Sequence, residues 1–405
     1  MTFLPDGRHF LYTAAGHNVG ANSETNGVYA GELGGETKKL ILKTRSNLFY
    51  ANGRLLYVRD GVLLAQPFDL IRLELSGLPV PIAEGVLVHN DFFRADFAVS
   101  ENGVLAYHQG SGGSDKLQLY WYDRQGKQLD PVGEPAAYQS VALSPDEKFI
   151  AAAIFDGESG NSDIWISDLM RGTRTRLTFG ALNESDPIWS PDGTKVVYRG
   201  VQKIFGRLMT KRTDGSGGEE ILLEDSNTDM HPSAWSQDGR YIVYILTERN
   251  KTTSDIWALP LFGDRKPFPF LATPFNESAA TLSPDGRWIC YMSDESGTRQ
   301  LYVSPFPGGG GKWQVTTGLI GGGGFTRGGK EIVFGNATSI YAAQVSAGPS
   351  SVQVGHPALL FKPPLITTIA YSADGQRFLM SPLAVSGQDR PFALVLDWPA
   401  LMPRN

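Results

Sequence analysis

A short turn sequence recurs along the chain at a nearly constant interval, and this repeat constrains the fold more than any other feature. The sequence "SPDG" at residues 190–193 stands between two apolar stretches, and close variants return every 43 to 50 residues. The final glycine of the turn, or its equivalent, stands at nine positions: Gly7, Gly53, Gly103, Glu147, Gly193, Gly239, Gly286, Gly329 and Gly375. A period in the forties is typical of one structural unit repeated along a chain.

Each repeat predicts a β-hairpin followed by further strands. Pro191 sets φ at about −65°, Asp192 suits the next turn position, and Gly193 can take a positive φ. The stretch after the turn, "KVVY", is β-branched and aromatic, as strands tend to be. A third apolar strand follows, as in "DIWISDL" and "DIWALPL", and a short fourth strand often comes after it. Four strands per period predict an all-β chain built from nine β-propeller blades.

Composition and charge exclude several classes of protein. The formal net charge is −6 and no block of Lys or Arg occurs, which argues against a nucleic-acid-binding protein. No apolar run approaches the roughly 18 residues that a membrane-spanning helix needs. The N-terminal sequence "MTFLPDGRHF" has no signal-peptide pattern and starts inside a repeat, which suggests a fragment or a start chosen within a repeat. The chain itself therefore indicates no compartment, and we expect a monomer.

The sequence contains no recognisable catalytic, cofactor or metal motif. The stretch "GFTRGGKE" matches the spacing of a phosphate-binding loop, but Glu331 stands where Ser or Thr would hold magnesium. No Gly-x-Ser-x-Gly occurs, and the six histidines show no metal-ligand spacing. We therefore predict a non-catalytic binding or sensing module without cofactor or metal. The alternative is a hydrolase or lyase whose site lies in the propeller channel.

Acidic residues precede the first strand of three successive repeats, in "LNESDP", "NTDMHP" and "FNESAA". First strands of propeller blades surround the central channel, so these side chains are expected at one channel mouth. Gathered there, they would attract a cationic ligand or a basic peptide. The candidate binding residues are Glu184, Asp186, Asp229, His231 and Glu277. The alternative is a solvated polar rim in which Asn and Ser close local turns.

The repeats resemble the TolB-like, WD40-like propeller repeats of bacteria. Their order further resembles the C-terminal propeller region of multidomain bacterial serine/threonine protein kinases. The matching phrases include "LLAQPFDLIRLELSGLPVPIAEGV", "LYWYDRQGKQL", "DIWISDLMRGTRTRLTFG" and "LYVSPFPGGGGKWQVTTG", and together such phrases cover essentially the whole chain. The resemblance implies an interaction module for a protein, peptide or small ligand in a signalling protein. It also implies an extracytoplasmic location if the propellers are attached to a membrane kinase, although the sequence has no kinase motif.

The resemblance further implies tandem six-bladed propellers, so nine repeats would be three blades of one ring and all six of the next. The Gly/Ser-rich stretch "HQGSGGSDK" is the best linker in the chain. We therefore predict three blades over residues 1–110, a linker at 111–116 and a closed six-bladed propeller over 117–405. The strand "FALVLDW" is expected in the blade that "LYWYDRQGKQL" completes. The alternative is one ring of eight or nine blades.

One repeat departs from the turn pattern in a testable way. Glu147 stands where the other eight turns have glycine, at the turn position that takes a positive φ. A left-handed residue other than glycine costs on the order of 1–2 kcal/mol. Substitution of Glu147 by glycine is therefore expected to stabilise the protein.

Overall fold

The computed structural model describes residues 2–14, 27–35, 38–44, 46–59, 61–89, 94–100, 102–108, 116–157, 159–202, 205–249, 251–308, 310–318, 320–336, 338–348, 351–364, 366–382 and 392–402. Across these ranges the chain forms β-strands and turns with two short 3-10 segments, Arg327–Gly329 and Trp398–Leu401, and no α-helix. The all-β prediction is confirmed. The chain divides into two compact units. Residues 116–383 are named the ring unit, and residues 1–115 with 384–405 the three-sheet unit.

The ring unit contains six antiparallel sheets, named blades 1 to 6. Blade 1 consists of Ile366–Tyr371, Arg377–Pro382, Leu117–Asp123 and Gln128–Ala136; blade 2 of Tyr138–Leu143, Phe149–Asp156, Asn161–Asp168 and Thr173–Arg176; and blade 3 of Asn183–Trp189, Lys195–Gln202, Phe205–Arg212 and Glu220–Leu223. Blade 4 consists of Thr228–Trp235, Tyr241–Glu248, Ser254–Pro260 and Phe268–Leu271; blade 5 of Glu277–Leu282, Trp288–Ser293, Gln300–Pro305 and Trp313–Gln314; and blade 6 of Gly322–Thr326, Glu331–Asn336, Ser339–Ala347, Val352–Val354 and Ala358–Phe361.

Apolar clusters between the blades hold the ring unit together. Each of six buried clusters combines side chains of two consecutive blades, and one of them joins blade 6 to blade 1. From blade 1 to blade 6, the first strand of each blade also contacts the first strand of the next blade. Both ends of the unit meet in blade 1, where Leu117–Asp123 pairs with Arg377–Pro382. The six sheets therefore pack in a closed cycle without a free end, with the first strands innermost.

The chemistry of the repeated turn explains its sequence. The Ser190 hydroxyl donates to Asp192 Oδ1 and accepts the N–H of Lys195, at 2.6 and 2.9 Å. Gly193 has a φ of 71°, in the left-handed region where glycine is favoured. Glu147 has a φ of 57° at the equivalent place, as expected from the repeat. Its carboxylate, however, also accepts the N–H of Ala373 in blade 1 at 2.8 Å, a contact between blades that the sequence does not reveal.

The three-sheet unit is built from sheets I, II and III. Sheet I consists of Thr2–Phe3, His9–Ala14, Gly27–Glu32 and Lys38–Leu42; sheet II of Leu48–Ala51, Arg54–Arg59, Val62–Asp69, Glu74–Leu75 and Val80–Ala83; and sheet III of Phe97–Val99, Leu105–His108 and Phe392–Val395. A two-stranded ladder joins Val88–His89 to Arg94–Ala95. One buried cluster lies between sheets I and II and another between sheets II and III.

The C-terminal strand corrects the predicted boundary. Residues 117–405 were expected to form the ring, with "FALVLDW" in its closing blade. Instead Phe392–Val395 pairs with Leu105–His108 in sheet III, and residues 384–405 group with residues 1–115. The expectation is wrong because Leu117–Asp123 already occupies the position beside Arg377–Pro382 that this strand would take. Of the predicted linker at 111–116, only residue 116 lies within the described part of the chain.

Candidate functional site

A cluster of charged side chains lies on the first strands of blades 3 and 4. Asp186 belongs to Asn183–Trp189 and His231 to Thr228–Trp235. Asp186 has a positive φ of 54°, and the strand register shifts between Ser185 and Ile188. This local bulge places the Asp186 carboxylate beside the imidazole of the next blade. The two side chains are 36% and 37% exposed, so solvent reaches both.

The imidazole is held between two carboxylates. His231 Nδ1 lies 2.9 Å from Asp186 Oδ2, and His231 Nε2 lies 3.3 Å from Asp229 Oδ2. Arg199 binds both oxygens of Asp229 in a two-point ion pair, each bond 2.8 Å long. Ser185 donates its hydroxyl to Asp186 Oδ2 at 2.9 Å. The four charged groups therefore form one connected network of two cations and two anions.

The network fixes the ionisation of its members. Although burial opposes a charged ring, the hydrogen bonds to Asp186 and Asp229 raise the pKa of His231 to about 9. Burial likewise opposes ionisation of the two carboxyl groups, but the hydrogen bond from His231 lowers the pKa of Asp186, and those from His231 and Arg199 lower the pKa of Asp229. At neutral pH the ring is therefore an imidazolium between carboxylates.

Two departures from the repeat, at Arg199 and Gly206, combine with Asp229 to form the buried ion pair of this network. Arg199 stands where blades 2 and 4 have the apolar residues Ala153 and Ile245. Gly206 replaces the serine found at this position in both of those blades. A Cβ at Gly206 would lie 2.5 Å from Asp229 Oδ1 and closer still to the Arg199 guanidinium, so only glycine leaves room for the ion pair. These substitutions serve one local structure, because each would be unfavourable without the others.

The repeated Asn or Asp position has a structural role. In blades 3, 4 and 5 its side-chain oxygen accepts a backbone N–H from the third strand of the preceding blade. The donors are Ser162 to Asn183 at 2.9 Å, Gly206 to Asp229 at 2.9 Å and Ser254 to Asn276 at 3.0 Å. This part of the pattern therefore links neighbouring blades. Asp229 has both roles, since it makes the link and carries the charge that pairs with Arg199.

The structure does not bring Glu184 and Glu277 to the channel mouth. Both side chains are fully buried at a position where blade 4 has Met230. Glu184 accepts a hydrogen bond from the Thr178 hydroxyl, and Glu277 accepts one from Thr273 at 2.5 Å. Burial raises the pKa of Glu184 to about 8 and also raises the pKa of Glu277. The expected ring of exposed carboxylates is therefore wrong for these two residues, and Asp186, Asp229 and His231 remain together.

The exposed acceptor of the cluster is Asp186. Both of its side-chain hydrogen bonds use Oδ2, so Oδ1 has no partner in the described part of the chain. Both ring nitrogens of His231 are engaged, which leaves no lone pair to accept a proton. Among the described residues, no group of three His, Cys, Asp or Glu side chains is arranged to hold a metal ion. The arrangement can accept a hydrogen bond or bind a cationic group at Asp186.

Arg199 is the member of the site that sequence reasoning missed. It lies on the second strand of blade 3 and is 30 residues away from Asp229 in sequence. The sequence does contain an indication of this residue's role: an arginine interrupts the apolar run "KVVYRGV" at a core position of the repeat. A charged residue at such a position needs a buried partner, and Asp229 is that partner.

Comparison of the sequence with known proteins finds similarity only at low identity. No protein-family model matches the chain. The "Uncharacterized peptidase YuxL" of Bacillus subtilis is 27% identical over 137 residues, which is 32% of this chain and 19% of that protein. The match thus spans about a fifth of that relative's length.

Several solved structures align with much of the chain. The putative TolB of Agrobacterium tumefaciens has a TM-score of 0.49 and 17% identity, covering 67% of this chain and 100% of that one. TolB of Acinetobacter baumannii has a TM-score of 0.46 and 16% identity, covering 78% and 82%. An oligogalacturonate lyase in complex with manganese has a TM-score of 0.48 and 13% identity, covering 71% and 84%. These likenesses concern the fold and assign no activity to this chain.

Proposed function

We propose that the chain is a non-catalytic binding module and that the ring unit binds its ligand at Asp186 and His231. The ligand would bring a hydrogen-bond donor or a cationic group, such as an ammonium or guanidinium, to Asp186 Oδ1. Asp229 and Arg199 would hold the imidazolium in place, and Glu184 and Glu277 would take no part. The ligand would be a protein, a peptide or a small molecule with this chemistry.

One observation carries the proposal: the cluster is built from departures from an otherwise regular repeat. Arg199, Gly206 and His231 each differ from the residue type that the neighbouring blades use at that position. The network also buries an arginine and an aspartate, each 6% exposed, which is costly unless both are paired. Sequences depart from local rules mainly where function demands it.

The enzyme alternative needs a group that can take a proton. A general base requires a free lone pair and a pKa near the working pH. His231 has a pKa of about 9, and both of its ring nitrogens are bonded to carboxylates. This favours a ligand-positioning role over acid–base chemistry. The chain would therefore bind its ligand without converting it.

The proposal is tested by ligand-induced thermal stabilisation. The purified chain is heated with arginine amide, with a trilysine peptide and with a neutral trisaccharide. We expect the two cationic probes to raise the melting temperature of the wild type and to have no effect on Asp186→Asn. The matched control is Asp238→Asn, because Asp238 lies in a repeat turn of blade 4. Equal stabilisation of wild type and Asp186→Asn, or product formed from any probe, would contradict the proposal.

The sequence resemblance supports a finer assignment, to the extracellular part of a bacterial signalling protein of kinase type. In such a protein the propellers would lie outside the cytoplasm and report ligand binding to a kinase across the membrane. The described part of the chain contains no helix with the length and apolar character that a lipid bilayer requires. Expression of a full-length gene with a reporter at its C-terminus would test the location.

A further inference from the structure

The first strand of blade 6 begins in a run of glycines. Gly321 to Gly324 follow one another in the sequence, and the last three of them open the strand Gly322–Thr326. The first strands of the other five blades contain no glycine. Glycine weakens a strand, and inside strands it often marks a place where a ligand or another backbone approaches closely. Blade 6 therefore lacks side chains at positions where every other blade has them.

Packing within the chain occupies the space in front of two of these glycines and leaves it open in front of the other two. A Cβ on Gly323 would lie 2.6 Å from a phenylalanine of the second strand, and one on Gly324 would overlap a tyrosine hydroxyl of blade 1. A Cβ on Gly322 would have no atom within 4 Å beyond its chain neighbours. One on Gly321 would meet a single carbonyl oxygen, at 3.6 Å. The missing side chains thus leave a recess at the start of the strand.

This glycine recess has a volume of about 420 Å³ and lies between blades 6 and 1. Its blade 6 wall is the bare backbone of residues 321–323 together with Phe334, and its blade 1 wall includes Ile369 and Tyr371. Ile369 is 37% exposed, whereas Ala280, at the corresponding position of blade 5, is fully buried. Among the described residues that line the recess, none is acidic or basic. The recess therefore suits an uncharged apolar group, and its volume lies within the range of small-ligand sites, about 300–1,000 Å³.

The recess lies across the ring from the cluster at Asp186 and His231. Six blades form a closed cycle, so blade 6 is three places from blade 3 and blade 1 is three places from blade 4. The depth in the channel also agrees. Gly323 pairs with Phe334, and the bulge at Asp186 lies opposite Tyr198, which is the corresponding residue of blade 3. Because packed sheets lie about 10 Å apart, opposite first strands of a six-membered cycle are at most about 20 Å apart.

We propose that the glycine recess binds an aromatic ring of the same ligand whose cationic group lies at Asp186, so that the ligand spans the channel. The cationic half of this inference rests on the proposed function, and the aromatic half rests on the recess. A flat ring can lie directly against the backbone of residues 321–323, because no side chain separates them, and its burial removes apolar surface from water. An extended residue spans about 3.3 Å, so a short peptide or a molecule of similar length connects the two positions. The ligand is thus both basic and aromatic.

Capped peptides that carry one arginine and one phenylalanine, separated by none to about four glycines, test the proposal by calorimetry on the full chain. The caps leave the guanidinium as the only charge. We expect one spacer length to bind the wild type at least about 10-fold more tightly than the same peptide with serine in place of phenylalanine. Ile369→Asn should remove this gain by taking away an apolar wall, and Gly321→Leu should remove it by placing a side chain at the recess. The matched control is Ile221→Asn, which alters an isoleucine that is 51% exposed on the fourth strand of blade 3 and should keep the gain.

A second set of probes separates this inference from the proposed function. The serine peptides report the Asp186 position alone, and Asp186→Asn should abolish their binding. Uncharged acetyl-phenylalanine amide, followed by NMR, should bind the recess in the wild type and in Asp186→Asn but not in Ile369→Asn. If the serine peptides bind but phenylalanine adds nothing at any spacer length, or if the gain persists in Ile369→Asn, the recess proposal is overturned and the proposed function stands. If the uncharged probe binds but the serine peptides do not, the proposed function fails and the spanning ligand fails with it.

Discussion

Replacement of Glu184 by glutamine should stabilise the ring unit, and the gain should depend on pH. The Glu184 side chain is fully buried where blade 4 has Met230. One oxygen accepts from the Thr178 hydroxyl, and the other, Oε1, is buried without a hydrogen-bond partner among the described residues. Burial raises the pKa of this carboxyl from 4.5 to about 8. The folded chain therefore holds the proton at neutral pH, whereas the unfolded chain releases it.

The magnitude follows from the pKa difference. For an acid whose pKa is raised in the folded state, stability is greatest below pH 4.5 and falls as pH rises toward 8. Each pH unit in this interval lowers the free energy of unfolding by about 1.4 kcal/mol, so at pH 7 the wild type has lost about 3 kcal/mol of stability. Glutamine resembles the protonated acid and does not titrate. The difference between Glu184→Gln and wild type should thus be near zero at pH 4.5 and should grow to about 3 kcal/mol at pH 7.

The assay is urea unfolding of the full chain at several pH values between 4.5 and 8.5. Hydrogen exchange in residues 183–189 identifies the transition that belongs to the ring unit. Glu134→Gln is the control for the change of charge, because the Glu134 side chain is 80% exposed. A stability difference that does not change with pH, or a glutamine variant less stable than wild type at pH 7, would refute the reasoning.

Three further predictions use the contacts between blades, and urea unfolding measures each. Glu147→Gly should be about 1 kcal/mol more stable than Glu147→Ala, because both lose the carboxylate contact and only glycine relieves the left-handed φ; equal stabilities would contradict this. Asp229→Asn should lower the free energy of unfolding by about 3–5 kcal/mol, because it leaves the buried Arg199 without a compensating charge. Asn183→Ala, which removes one hydrogen bond, should lower it by about 1 kcal/mol. Similar losses in the two variants would count against the ion pair. Gly324→Ala should cost about 1–3 kcal/mol because its Cβ would overlap a tyrosine hydroxyl of blade 1, while Gly218→Ala meets open space and should be nearly neutral.

The repeat predicted the blades because its signal is local. In the turn at residues 190–193, the serine, aspartate and glycine make their hydrogen bonds within one hairpin, so a few residues determine the local structure. The pairing of Phe392–Val395 could not be predicted in the same way. Its sequence suits the third strand of any blade, and its partner Leu105–His108 lies almost 300 residues earlier. Which second strand it joins depends on competition with Leu117–Asp123, which no local pattern encodes.

The candidate site was predicted in part. Asp186, Asp229 and His231 come together because the repeat places them on adjacent first strands. Glu184 and Glu277 lie on the same first strands but at the position where blade 4 has Met230, and they face the core because successive side chains of a strand point to opposite sides. Because carboxylates are normally charged, the sequence predicted that both side chains would be exposed. That prediction is wrong because a buried carboxyl group can remain protonated and uncharged.

The pKa of His231 tests the proposed site most directly. The proposed ligand position depends on an imidazolium held between Asp186 and Asp229. An NMR titration of the histidine ring should give a pKa of about 9 for His231 in the wild type, and a lower value in Asp186→Asn, which removes one carboxylate. A His231 pKa at or below its ordinary 6.5 in the wild type would mean a neutral ring at pH 7 with a free lone pair. That result would contradict the binding site as described and favour acid–base catalysis in the channel.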